Sequence, residues 1–145
     1  MRQMTMAGLG LATLLACGGD DPTGPASMVG VYGLTTVNGQ AVPVTVSAMN
    51  YDGGTIIRIS SGVLTVVEDG TSCDLTLGTR VQPLNGPEQP GQVTTGCSLT
   101  RTGNTLAINL GPWGTHATTF ERSNGVRSLT FDMGSGIGVL RFTAQ

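Results

Sequence analysis

From Met28 onward, apolar and polar residues alternate in short runs, and each run is closed by Gly, Asn, Asp or Pro. A period of two puts apolar side chains on one face of an extended strand. A helix needs them every three or four residues, and no stretch sustains that spacing. The alternation predicts strands near 29–37, 41–47, 55–60, 62–68, 71–80, 92–101, 105–110, 115–122, 126–133 and 137–144. Between them, Asn38-Gly39, Asp52-Gly53-Gly54, Asp69-Gly70, Asn85-Gly86, Gly103-Asn104, Asn124-Gly125 and Gly134-Ser135-Gly136 supply residues that tolerate the positive φ of tight turns. Gly111-Pro112-Trp113-Gly114 is one further turn. The chain reads as all-β.

Register follows from the turns. A hairpin folded about Asn85-Gly86 sets Cys73 opposite Cys97, Leu75 opposite Thr95 and Leu77 opposite Val93. Folding about Gly103-Asn104 sets Leu99 opposite Ile108 and Cys97 opposite Leu110, and folding about Asn124-Gly125 sets Phe120 opposite Leu129. One apolar face therefore continues from strand to strand, as a sheet curling around a single core requires. The expected interior is Leu34, Ile57, Ile59, Leu64, Val66, Leu75, Leu77, Leu99, Leu106, Ile108, Phe120, Leu129, Phe131, Leu140 and Phe142. Nearest-neighbour hairpins favour an antiparallel up-and-down β-barrel of about eight to ten short strands over the alternative, a two-sheet β-sandwich, which needs longer crossovers. Only Val81 to Gly91, with Pro83, Pro87 and Pro90, reads as a long irregular connection. The outward face carries Thr, Ser, Asp, Arg and Asn, which argues against a transmembrane barrel with its apolar outer band.

The segment before the strands has a different pattern. Arg2 precedes an apolar stretch from Met4 to Ala16, too short to span a bilayer as a helix and of the length of a secretory signal core. Its end, Leu14-Leu15-Ala16-Cys17, resembles the lipobox of bacterial lipoproteins. The resemblance implies cleavage before Cys17 and a diacylglycerol on its sulfur, so that the protein is held to a membrane through its N-terminal lipid. Gly18 stands where enteric-type lipoproteins retained at the inner membrane carry an aspartate, which implies the outer membrane, facing the periplasm. Gly18 to Ser27 is rich in Gly, Pro and Asp and reads as a flexible tether. The expected organisation is a signal peptide at 1–16, a lipidated N-terminus and tether at 17–27, and one β-barrel domain at 28–145.

Charge narrows the partners. The chain has no Lys, and Arg58, Arg80, Arg101, Arg122, Arg127 and Arg141 are spread one per segment against nine carboxylates. Nucleic acid is excluded as a partner because phosphate binding relies on clustered basic charge. Isolated arginines of this kind read as solvent-facing positions on strands and turns. With Cys17 assigned to lipid, Cys73 and Cys97 remain in a compartment that permits oxidation, and their opposed register predicts a disulfide between them.

Little chemistry remains. His116 is the only histidine, and its parity with Phe120 sets it inward with Thr118, near the barrel mouth beside Trp113. A lone inward histidine is a hydrogen-bonded rim residue or a catalyst, and no nucleophile or second base accompanies it at recognisable spacing. Glu68-Asp69 reads as strand end and turn, and no metal or cofactor motif is present, so the expectation is a non-enzyme without cofactor. Gly30-x-Tyr32-x-Leu34-x-x-Val37-Asn38-Gly39 followed by Pro43 resembles the opening of small lipocalin-like domains of bacterial lipoproteins. That resemblance implies a barrel able to bind a small apolar ligand, with Trp113 and His116 as contacts at its mouth. The alternatives are a protein-interaction or inhibitor module that presents loop 81–91, and a structural envelope component with a filled barrel.

Overall fold

The computed structural model describes residues 25–46, 55–83, 85–134 and 136–145. The signal segment, Cys17 and the tether up to residue 24 lie outside these, as does the Asp52-Gly53-Gly54 turn. A 3-10 turn, Pro25–Met28, leads into ten strands: β1 Gly30–Val37, β2 Gln40–Ala41, β3 Val44–Thr45, β4 Ile56–Val66, β5 Ser72–Gln82, β6 Gln89–Thr102, β7 Thr105–Asn109, β8 Thr115–Ser123, β9 Val126–Asp132 and β10 Val139–Ala144. Every pairing is antiparallel. Eight of the strands close into a barrel because β1 pairs with β10 on one side and with β4 on the other, while β2 and β3 are two short additions. One continuous ladder closed on itself excludes the two-sheet sandwich.

The registers are those that the turns impose. Cys73 faces Cys97, Leu75 faces Thr95 and Leu77 faces Val93. Leu99 faces Ile108, and Phe120 faces Leu129. Asn124 and Gly125 take φ of 51° and 79°, the left-handed pair that a two-residue hairpin demands. The β6–β7 ladder stops at Ser98 opposite Asn109, so the expected pair of Cys97 with Leu110 does not form.

Three expected boundaries are corrected. The runs 55–60 and 62–68 are one strand, β4, whose register shifts between Ile59 and Ser61. The expected break at residue 61 is a bulge that restores the apolar face after one extra residue. Glycine is needed there because a Cβ on Gly62 would stand 2.8 Å from Leu34 Cβ. The run 41–47 is divided into β2 and β3 at Val42-Pro43, where proline has no N–H for a ladder. The irregular connection 81–91 shrinks to 83–88, since Val81 pairs with Gln89 and Arg80 with Pro90.

The interior is one apolar cluster. Thirteen of the fifteen expected residues are buried, and Ile57 and Phe120 pack against the cluster half-buried. Tyr32, Val37, Val44, Val46 and Leu110 join them. At its centre the rings of Phe131 and Phe142 stack with centroids 5.6 Å apart.

One barrel end is closed by the chain itself. Met28, the last residue of the 3-10 turn, is 1% exposed, and its carbonyl accepts a 2.6 Å hydrogen bond from the Tyr32 hydroxyl. Burial pushes the Tyr32 phenol pKa up, against the opposing fields of Arg127 and Arg122. Arg127 Nη1 donates to the carbonyls of Ser27 at 3.0 Å and Val29 at 2.8 Å, and its guanidinium lies 5.6 Å from the Tyr32 ring centroid. Arg127 is therefore half-buried and structural, which corrects its assignment to a solvent-facing position. Met28→Ala is expected to cost about 2 kcal/mol, the low side for a buried methionine because the barrel end can collapse partly around the gap. Urea unfolding measures it, and a loss near zero would show that the plug adds nothing.

Asp69 makes the turn between β4 and β5. Its carboxylate accepts from the Thr71 and Ser72 N–H groups at 2.8 and 2.7 Å and from the Ser72 hydroxyl at 2.8 Å. Those bonds, the backbone ones first, lower its pKa from 3.8 to about 2. A depressed acid pKa means that the stabilisation is full above 3.8 and disappears as pH falls through about 2. Asp69→Asn should flatten the acid dependence of stability in that window, and carbon-13 titration of the Asp69 carboxyl should give a midpoint near 2. A midpoint near 4, that of an unperturbed aspartate, would refute the turn geometry.

Candidate functional site

The two ends of the barrel differ in construction. At the end where the chain enters lie the plug and the tight connections 67–71, 103–104 and 124–125. The opposite end carries Asn38-Gly39 with β2 and β3, the loop 83–88, the 3-10 turn Gly111–Trp113 and the segment 133–138. Asn38 ties two of these together: its backbone N–H donates to the Val139 carbonyl, its Nδ2 to the Ile137 carbonyl, and its Oδ1 accepts from the Val139 N–H. Its φ of 52° is a conformation that asparagine tolerates better than most residues.

Trp113 and His116 meet at this opposite end, His116 by its parity with Phe120 and Trp113 from the turn before β8. His116 stands opposite Ile108 and is half-buried, with Nε2 donating to the Trp113 carbonyl at 2.8 Å. Its second ring nitrogen has no hydrogen bond among the described residues. Thr118 is buried and gives its hydroxyl proton to the His116 carbonyl at 3.2 Å. Among the described residues no carboxylate or hydroxyl is hydrogen-bonded to the imidazole, and the bond from Nε2 to the Trp113 carbonyl ties β8 to the 3-10 turn before it. Trp113 packs half-buried against the core, and so do Val42, Ile57, Met133 and Ile137 from neighbouring segments. All five belong to segments at this end of the barrel and make up its apolar rim residues. Val42, Met133 and Ile137 were not legible as site residues, because each sits at a strand end or in a turn; the signal was an apolar residue inside a Gly- or Pro-rich segment.

Cys73 and Cys97 are joined by a disulfide across β5 and β6, with Cα atoms 4.8 Å apart. Above it β5 and β6 continue as a ribbon to Gln82 and Gln89, with β4 paired along the β5 side. The fold brings together arginines that are far apart in sequence: Arg58 faces Arg80 across β4 and β5. Glu88 serves both, with Oε1 2.7 Å from Arg58 Nη1 and Oε2 3.5 Å from Arg80 Nη1. Like charges directly opposed across a ladder are destabilising, and one carboxylate offsets only half of the pair. Among the described residues no group of three or more His, Cys, Asp or Glu is placed to hold a metal ion.

No family model, curated protein or solved structure matches this chain. What the site can do rests on its own geometry: an apolar rim with one hydrogen-bonded histidine, flanked by a disulfide-braced ribbon with surplus positive charge.

Proposed function

We propose that the chain is a lipid-anchored protein of the bacterial cell envelope, held through Cys17 at the outer membrane, whose barrel binds a small apolar ligand at the mouth opposite its tether. The observation that carries this reading is that Val42, Ile57, Trp113, Met133 and Ile137 all pack half-buried against the core from segments at the end farthest from where the chain enters. The stacked Phe131 and Phe142 occupy the interior, so the ligand sits shallowly across the rim, unlike the deep cavity of a lipocalin-like barrel. Lipobox-type sequence before the barrel supports the anchoring, and the shortage of converging titratable groups supports a binding role without catalysis.

Trp113 is the only tryptophan, so its fluorescence reports the mouth. Full-length protein purified from its host membranes should carry a small apolar molecule in native mass spectrometry, and stripping that molecule should red-shift Trp113 emission. No co-purified molecule, together with no response of Trp113 to added fatty acid, would overturn the ligand reading. Mass spectrometry of the same sample should find diacylglycerol on Cys17 as the new N-terminus; an intact Met1 would refute the anchor. A second reading, contact with another protein, is favoured by the ribbon formed by β5 and β6.

A further inference from the structure

The upper half of β6 has an open edge. Thr71 accepts from the Leu99 N–H, which sets the odd-numbered residues of β6 facing β5. The even-numbered residues face away, and β7 meets them only from Ser98 onward. Beyond that point the chain after β7 leaves the ladder in the 3-10 turn Gly111–Trp113, close to Thr95, whose hydroxyl donates to the Leu110 carbonyl at 3.5 Å. The N–H and C=O groups of Gln92 and Thr94, with the C=O of Pro90, therefore point out of the sheet and join no other strand among the described residues. Pro90 fits this placement, because its missing N–H falls on the open side.

We propose that this edge takes up an extended segment of another protein as an added antiparallel strand, apolar on one face and acidic at the end beside Arg80. Three observations specify the occupant. The open side demands main-chain pairing, which only an extended chain supplies. Side chains of the added strand opposite Val93 and Gly91 would share the inward face with half-buried Val93, on the side of the sheet where Trp113 packs, so those positions call for apolar residues. The position opposite Pro90 shares the outward face with Arg80, which pairs with Pro90 one strand in. The Arg80 side chain is 57% exposed and shares Glu88 with Arg58, so that position calls for a carboxylate within reach of the long guanidinium side chain. This deepens the protein-contact reading and is independent of a ligand at the rim.

The probe is the peptide acetyl-Thr-Val-Thr-Val-Glu-amide, titrated into nitrogen-15-labelled full-length protein in micelles. The Gln92 and Thr94 amide signals should move first. Methylating the central peptide nitrogen should weaken binding roughly tenfold, as should Thr94→Pro, since each removes a hydrogen bond and blocks the approach. Replacing the peptide glutamate by glutamine, or Arg80→Gln, should each weaken it about threefold. Equal binding of the methylated peptide would overturn the proposal even if Thr94→Pro fails to fold. A dimer in sedimentation that Thr94→Pro dissolves would assign the edge to a second copy and overturn it too. Trp113 emission follows the rim ligand separately, so failure here leaves that reading standing.

Discussion

Phe131→Ala is expected to lower the stability of the barrel by about 3–5 kcal/mol. Phe131 is 2% exposed, faces Thr118 on β8 and Leu140 on β10, and stacks on Phe142. Its removal takes away apolar burial and a ring contact together, and it leaves a void that strands fixed in a closed ladder cannot collapse to fill. Urea unfolding of the variant gives the number. A loss under about 1 kcal/mol would mean that the interior is loosely filled, contrary to the packed cluster. Adding the co-purified apolar molecule, if it binds at the rim, should restore the same increment to variant and parent alike, because mass action acts on the rim site and leaves the void untouched. Selective rescue of the variant would place the ligand inside the barrel.

The β-barrel was legible because its turns are chemically explicit. Gly103-Asn104 and Asn124-Gly125 make tight hairpins and Asn85-Gly86 marks the centre of a longer one, and a hairpin centred there leaves no freedom in which residues face each other. The bulge at Ser60 was not legible, since two strands with a polar turn and one strand with an extra residue write the same local pattern. The role of Arg127 was equally hidden. Its partners are the carbonyls of Ser27 and Val29, and backbone acceptors leave no trace in side-chain pattern. Of the rim, His116 was set inward by its parity with Phe120 and Trp113 was placed as its neighbour, whereas the pairing of Arg58 with Arg80 depends on β4 running unbroken past Ser60, which the expected division at residue 61 hid.

Replacing Cys73 and Cys97 together by alanine is expected to cost about 3 kcal/mol, from the freedom that an open chain regains when unfolded. The two cysteines are 24 residues apart, and the loop between them is mostly the β5–β6 ribbon. Position makes the bond matter more than its size. Cys97 sits one residue before β6 parts from β7, so the disulfide clamps the ribbon at the point where lateral support on that side ends. Without it, the pairs from Leu75–Thr95 to Val81–Gln89 keep β4 on one side only. Hydrogen exchange of Val93 and Thr95, whose N–H groups bond to β5, should then accelerate more than that of Leu129 and Phe131, which lie in the closed part of the barrel. Equal acceleration everywhere would show a purely global effect on the unfolded chain. In that outcome the ribbon holds its shape without the clamp, and its open edge would bind the peptide probe as well in the double alanine variant as in the parent.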